Sequence, residues 1–167
     1  MYNFRNDYSE AAHPAVLAAI AAHNDEHVIG YGAVTTEAGM KLSDRLRDIY
    51  ESIHILIERF HPDAFAVEEL FFNTNVKTAI SVAHGRGVCI LAASVQNVPI
   101  HEYTPLQVKQ AVCGYGRADK AQVQRMVTQL LNLESVPKPD DVADALAVAI
   151  CHAHNARYQK LIREESV

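Results

Sequence analysis

Residues 63–71, DAFAVEELF, form a short apolar run that contains two adjacent glutamates near its end. Its length and apolarity predict a central strand, buried on both faces. Glu68 and Glu69 fall near the carboxyl end of this strand and must point to opposite faces of the sheet. Ligands of open α/β sheets bind at that edge. The segment therefore predicts one glutamate facing a cleft; a strand-end side chain that simply reaches solvent is the alternative.

The flanking segments alternate between strand-like and helix-like patterns. An amphipathic repeat at spacings of three and four predicts a helix over 43–60, and Thr104-Pro105 is typical of a helix start. The full prediction comprises strands over 27–36, 63–71 and 99–103, and helices over 43–60, 76–94, 105–111, about 123–131 and from about 140 onward. Strands alternating with helices indicate an α/β fold with parallel strand pairs.

Composition limits the class of protein. The 167 residues are 49% hydrophobic and 21% charged, which fits one globular domain. No apolar run is long enough to span a membrane, and no secretory signal is recognisable at the N-terminus. Cys89, Cys113 and Cys151 are odd in number and lie in apolar surroundings, so we expect reduced thiols in a cytoplasmic protein.

Charge is distributed unevenly along the chain. The net charge of −5 argues against a uniformly basic nucleic-acid binder. Residues 72–130, however, hold six basic side chains against two acidic ones. This bias predicts a surface that binds the phosphates of a nucleic acid; the alternative is that these side chains lie on ordinary solvated helix faces.

The stretch 137–150, PKPDDVADALAVAI, places three aspartates at the start of an apolar helix. Asp140 suits a helix N-cap, and anions are favoured at the positive end of the helix dipole. Asp141 and Asp144 are three apart and project from one helix face. Together with Glu68 they would form an oxygen-rich site that suits Mg²⁺ better than zinc. Capping alone remains the other interpretation.

Three longer motifs carry a family resemblance. They are PDAFAVEELFFNTNVKTAISVAHGRGV (62–88), EYTPLQVKQAVCGYGRADKAQVQRMV (102–127) and PKPDDVADALAVAICHAH (137–154). From about residue 27 to residue 155 the chain resembles the RuvC family of crossover junction endodeoxyribonucleases. The resemblance implies an α/β, RNase H-like fold with a mixed β-sheet flanked by helices. It implies a nuclease domain over 27–157, followed by a charged tail, 158–167, that we expect to be solvated or frayed.

The resemblance also implies an activity and its residues. Holliday junctions would be resolved by symmetric Mg²⁺-dependent nicking in recombination and repair, with two ions per subunit. The expected partners are four-way junction DNA, a second copy of the chain and the RuvA–RuvB branch-migration complex. The implied catalytic and metal-binding residues are Glu68, Asp141 and Asp144; the DNA-binding residues are Phe71, Lys109, Arg117 and Lys120.

The N-terminal segment, residues 1–26, departs from the family pattern. The family's first-strand GIDPG motif, which supplies a fourth acidic residue, is absent. Pro14 followed by AVLAAIAA favours helix over strand, which would leave the strand at 27–36 with an open sheet edge. Whether Asp7 or Glu10 replaces the missing aspartate stays open.

Two other functions compete with a resolving nuclease. A junction-binding protein with an incomplete metal site would bind DNA without cutting it. An RNA–DNA hybrid nuclease is a weaker alternative, because TPLQVKQAV and GRADK are specific to the junction family. The HAH sequence at 152–154 is interpreted as a helix C-terminus rather than a metal site.

Overall fold

The computed structural model describes residues 2–4, 15–23, 25–70 and 76–165, with side chains over 28–70 and 79–158. The described chain is mixed α/β, as predicted. In order its elements are β1 (Tyr2–Phe4), β2 (Ala15–His23), β3 (Asp25–Val34), α1 (Leu42–Phe60), β4 (Phe65–Glu68), α2 (Val76–Val95), β5 (Ile100–Tyr103), α3 (Pro105–Cys113), α4 (Lys120–Leu130) and α5 (Asp140–Glu165).

Strand β3 is the centre of a three-stranded mixed sheet. It pairs in parallel with β1 and antiparallel with β2, with one irregularity in register at Ala19/Ile20. Two predictions were therefore wrong: the alanine-rich segment after Pro14 is a strand, and β3 has a partner strand on each side. Helix propensity is a weak preference that pairing overrides. Here β2 pairs with β3 along its whole length.

Strands β4 and β5 form a separate parallel pair. Glu68 lies opposite Tyr103, and the amide of Glu69 donates to the Tyr103 carbonyl at 2.8 Å. This pair confirms the predicted parallel arrangement, and Glu68 is the last residue of β4. The strand is only partly buried, however, rather than buried on both faces. Its carboxyl end faces helix α5.

Helix α5 forms the centre of the larger apolar core. Val142, Leu146, Ile150 and Cys151 are completely buried, and the helix packs against β2, β3, α3 and α4. Burial of such side chains is the main stabilising contribution to the fold. The apolar face that makes α5 the core helix also fixes where Asp144 points, because both belong to the same element.

A smaller core joins α1 to α2. Ile49, Ile53 and Ile57 recur every four residues and pack with Ala92 and Ala93 of α2. This confirms the predicted amphipathic helix, which begins at Leu42. The small alanine side chains let the two helices approach closely.

The C-terminal part of α5 differs from expectation. The helix continues to Glu165, and His152 and His154 lie well inside it rather than at its C-terminus. The expectation that the tail is solvated or frayed stays a prediction. His152 accepts or donates a hydrogen bond with the Tyr103 hydroxyl at 2.8 Å, and its ring lies 4.5 Å from that of His101. These contacts tie α5 to β5.

Two further features concern the thiol groups and the length and apolarity of the helices. Cys89, Cys113 and Cys151 are free thiols, and Cys151 is buried. Burial raises the pKa of the Cys89 thiol to about 11. Within the described residues, none of the helices combines the length and apolarity needed to cross a membrane.

Candidate active site

Glu68 and Asp144 line the same cleft, although they are 76 positions apart in the sequence. Glu68 comes from the end of β4 and Asp144 from the first turns of α5. The cleft has a volume of about 230 Å³. Its other lining residues are Pro105, Val108, Lys109, Lys120, Val123 and Ala147. Two carboxylates and two ammonium groups thus converge between apolar walls.

The cleft disfavours the ionised form of both carboxylates. Desolvation in the cleft raises the pKa of Glu68, the nearby charge of Asp144 raises it further, and Lys109 acts in the opposite direction. Desolvation likewise raises the pKa of Asp144, against a lowering by Lys120 and with smaller contributions from Asp141 and Asp140. Closely spaced carboxylates with raised pKa values are typical of sites that hold cations.

Lys120 reaches the cleft from the first residue of α4. That helix begins with a capping box, in which the Asp119 carboxylate accepts from the Gln122 amide at 2.8 Å and the Gln122 side chain accepts from the Asp119 amide at 2.9 Å. The Lys120 Nζ lies 3.4 Å from Asp144 Oδ2 and 3.8 Å from Asp140 Oδ2. The cap therefore determines where this ammonium group enters the site.

Lys109 enters from α3, on the side of Glu68. This helix also begins with a capping box, between Thr104 and Gln107, and has Pro105 in its first turn, as the sequence predicted. Val108 next to it is buried in the main core and holds the helix in place. Each cleft carboxylate is consequently faced by a lysine from a different helix.

Asp141 does not line the cleft. It is exposed in the first turn of α5, close enough to influence the charge of Asp144. Across the described part of the chain, no cluster of three or more His, Cys, Asp or Glu side chains is arranged to hold a metal ion. Of the three predicted carboxylates, the structure brings together Glu68 and Asp144.

The other predicted residues either do not line the cleft or lie outside the described residues. Arg117 is exposed in the loop between α3 and α4 and does not line the cleft. Phe71 lies outside the described residues, as do Asp7 and Glu10. Their suggested functions stay predictions.

Sequence reasoning missed two contributors to the site. Asp140 was interpreted as a cap, but its carboxylate pairs with Lys120 and, at 3.7 Å, with Lys138. Arg86 was counted only as part of a basic region, yet its Nε donates to the Glu68 main-chain carbonyl at 2.9 Å. The DxxQ pattern of residues 119–122 was a readable signal for the start of α4, whereas the Arg86 contact has no local signature.

The donor set fits a hard divalent cation. Carboxylate oxygens are the ligands that such ions prefer, and a cation placed between Glu68 and Asp144 would offset the cost of holding these two partly desolvated carboxylates in one cleft. Asp141, one turn earlier on the same helix, stands next to this pair. The carboxylate of Asp144 and the ammonium group of Lys120 remain partly exposed, at 42% and 51%, so an ion could reach them from solvent.

Comparison with known proteins defines the class and then the family. Two solved structures superpose on this fold: Thermus thermophilus RuvC in complex with Holliday junction substrate (TM-score 0.78) and Thermus thermophilus RuvC alone (TM-score 0.74). Each is 34% identical, and each match covers 87% of this chain and 88% of the other. The fold is therefore RNase H-like, with a carboxylate-lined cleft at the end of a strand.

The family follows from sequence. The family model for crossover junction endodeoxyribonuclease RuvC matches residues 13–152. A crossover junction endodeoxyribonuclease RuvC of Ruminiclostridium cellulolyticum is 60% identical over 139 residues, 83% of this chain and 84% of the relative. The crossover junction endodeoxyribonuclease RuvC of Chloroflexus aurantiacus is 53% identical over 139 residues, which are 82% of this chain and 85% of the relative. The chain belongs to the RuvC family of crossover junction endodeoxyribonucleases.

Proposed function

We propose that this protein resolves Holliday junctions by hydrolysing phosphodiester bonds, in homologous recombination and DNA repair. The observation that carries the proposal is the convergence of Glu68 and Asp144 in one cleft with Lys109 and Lys120. Its support from comparison is the high identity to crossover junction endodeoxyribonucleases over most of the chain.

Metal binding is the first part of the proposed chemistry. Glu68 and Asp144 would hold a divalent cation, with Asp141 as a further ligand; Mg²⁺, two ions per subunit, is the proposed identity. Bound metal ions of this kind activate water and stabilise the attacking and leaving oxygens of a phosphodiester. Glu68 and Asp144 contribute the negative charge that keeps such ions in the cleft.

DNA binding is the second part. Lys109 and Lys120 project into the cleft, where each would contact a phosphate close to the scissile bond. Arg117 on the neighbouring loop is a further phosphate contact on the outside. Such contacts release counterions, so affinity should fall steeply with salt. Phe71 is proposed to stack on a base at the junction, an interaction worth about 1–3 kcal/mol.

A homodimer is the third part, since two symmetric nicks need two active sites. Helix α2 presents an exposed stripe at helical spacing, consisting of Ile80, His84, Gly87, Leu91 and Val95. Ile80, Leu91 and Val95 are about half exposed. In a two-fold interface the same surface patch of each copy packs against its equivalent. A largely apolar helix stripe with a glycine at its centre suits such packing, because the glycine leaves room for the other helix. We assign this stripe to the second copy of the chain.

Cellular context completes the proposal. Three free thiols fit the reducing cytoplasm, where chromosomal DNA is available to a bacterial resolvase. The RuvA–RuvB branch-migration complex is the proposed partner assembly, on the basis of the family resemblance.

One assay tests the activity. Wild-type protein, Glu68→Gln and Glu69→Gln are incubated with a synthetic four-way junction and Mg²⁺, and both nicks are mapped on denaturing gels. Glu69 is the matched control because it adjoins Glu68 but does not line the cleft. We expect symmetric nicking by the wild type and the Glu69→Gln variant, and loss of nicking by at least 100-fold in Glu68→Gln.

Junction binding measured in parallel separates the outcomes. A wild-type protein that binds the junction but leaves it intact would identify a non-cutting junction binder instead. Equal nicking by Glu68→Gln and wild type would remove Glu68 from the chemistry.

A further inference from the structure

Arg86 of α2 makes two contacts at the carboxyl ends of β4 and β5. Its Nε donates to the Glu68 main-chain carbonyl at 2.9 Å, and its terminal nitrogen forms an ion pair with Glu102 of β5. The arginine side chain is 22% exposed, whereas that of Glu102 is 51% exposed. One side chain therefore connects a helix to the ends of both strands of the pair.

The first contact acts on the backbone of the cleft glutamate. Glu68 is the final residue of β4, so the regular pairing of the strand ends there. The next amide, that of Glu69, is held by Tyr103, and the carbonyl of Glu68 is held by Arg86. Both contacts therefore act on the single peptide group that follows the Glu68 Cα, holding its carbonyl and its amide, which restrains the direction in which the carboxylate leaves the strand.

The second contact fixes the arginine itself. A guanidinium group is a planar fork whose donors keep constant relative positions. With one donor on Glu102 and another on the Glu68 carbonyl, the fork holds β4 and β5 at a fixed distance from α2. A lysine, with one compact ammonium group, cannot reproduce both contacts in that geometry.

We propose that Arg86 is a positioning residue for the metal site: it orients Glu68 toward Asp144 through the main chain and does not itself contact metal or DNA. This inference rests on the proposed function. Metal ligands must be held within about 0.5 Å of their productive geometry. Loss of a partner that orients a ligand typically lowers metal affinity about 10–100-fold.

A purely structural Arg86 would behave differently. It would lower thermal stability when replaced but leave the metal dependence unchanged. A partly exposed ion pair such as Arg86–Glu102 contributes little to stability on its own. The metal dependence is therefore the measurement that distinguishes positioning from support of the fold.

The test compares three variants with the wild type. Arg86→Lys keeps the charge but loses the fork, Glu102→Gln removes only the ion pair, and Arg47→Lys is a control at an exposed arginine of α1. Metal binding is measured without DNA, by calorimetric titration with Mn²⁺ and by the metal-induced rise in melting temperature. Junction nicking is then measured across a range of Mg²⁺ concentrations.

We expect Arg86→Lys to weaken metal binding and raise the half-saturating Mg²⁺ concentration about 10-fold, with junction affinity within about twofold of wild type. Glu102→Gln should weaken metal binding and raise the half-saturating Mg²⁺ concentration by about two- to threefold, and Arg47→Lys should match the wild type. A folded Arg86→Lys with unchanged metal binding overturns the inference. If Arg86→Lys does not fold, an unchanged Glu102→Gln overturns it instead.

Failure of the proposed function would look different. Wild-type protein that binds metal but nicks no junction would contradict the nuclease proposal, while weaker Mn²⁺ binding by Arg86→Lys would still support the positioning of Glu68.

Discussion

The ammonium group of Lys120 lies 3.4 Å from the carboxylate of Asp144. In the described structure this lysine occupies the neighbourhood in which a divalent cation would bind, and it lowers the pKa of the aspartate against the effect of desolvation. A metal ion bound to Asp144 would compete with Lys120 for the same oxygens. If the metal ion displaced Lys120 from Asp144, the ammonium group would be available to bind a phosphate.

Lys120→Ala should weaken junction binding in a salt-dependent way. We expect the slope of log affinity against log salt to fall in magnitude by about one, because one phosphate contact is lost. The measurement is a gel-shift titration in a Glu68→Gln background, which keeps the junction intact. Lys138→Ala is the control, since Lys138 also pairs with Asp140 but does not line the cleft. Equal slopes for both variants would contradict a phosphate contact by Lys120.

Glu68→Gln should stabilise the metal-free protein while abolishing nicking. The folded-state pKa of Glu68 is raised, so ionised Glu68 opposes folding at neutral pH, and this cost is absent below the unfolded value of 4.5. Partial exposure screens the interaction, so we expect a rise in melting temperature of only about 1–2 °C in EDTA. Added Mg²⁺ should stabilise the wild type and have a much smaller effect on the variant. A lower melting temperature for Glu68→Gln in EDTA would contradict a destabilising charge on Glu68, whose causes are desolvation first and the charge of Asp144 second.

His152 should make folding stability pH-dependent in the opposite direction. Desolvation, and then the neighbouring His101, lowers the folded-state pKa of His152 below its ordinary value of 6.5. The unfolded chain then binds more protons than the folded chain as pH falls below 6.5, so stability is lost until the folded pKa is passed. Urea denaturation between pH 8 and pH 5 should show the advantage of wild type over His152→Asn shrinking as pH falls. Parallel curves would contradict this linkage.

Leu91→Glu should convert the proposed dimer to a monomer. The substitution places a charge in the middle of the exposed α2 stripe, where a two-fold interface would bring two copies of it together. Analytical ultracentrifugation measures the change, and Leu106→Glu on α3, at a similarly exposed leucine, is the control. A variant that remains dimeric would place the interface elsewhere.

The sequence predicted most of what surrounds the cleft because those elements have strong local signals. Thr104-Pro105 marked the start of α3, the alternation of strands and helices indicated parallel pairing, and Glu68 was expected near the carboxyl end of a strand. In each case the determining residues are neighbours in sequence. Local patterns were sufficient for local structure.

The errors concern interactions between distant segments. The alanine-rich residues of β2 favour helix by propensity, and only the nine-residue pairing with β3 makes them a strand. The spacing of Asp141 and Asp144 predicted neighbouring carboxylates, and Asp141 does influence the charge of Asp144, but only tertiary packing determines that Asp144 is the one that lines the cleft. The contact of Arg86 with the Glu68 carbonyl joins residues 18 positions apart through the main chain, which side-chain patterns do not encode.

Helix α2 connects two surfaces that matter for different reasons. One side displays the stripe around Leu91, and Arg86 extends from another side to the strand that ends in Glu68. A molecule bound along that stripe would therefore contact the same helix that holds Arg86 against the Glu68 carbonyl, at a surface separate from the cleft.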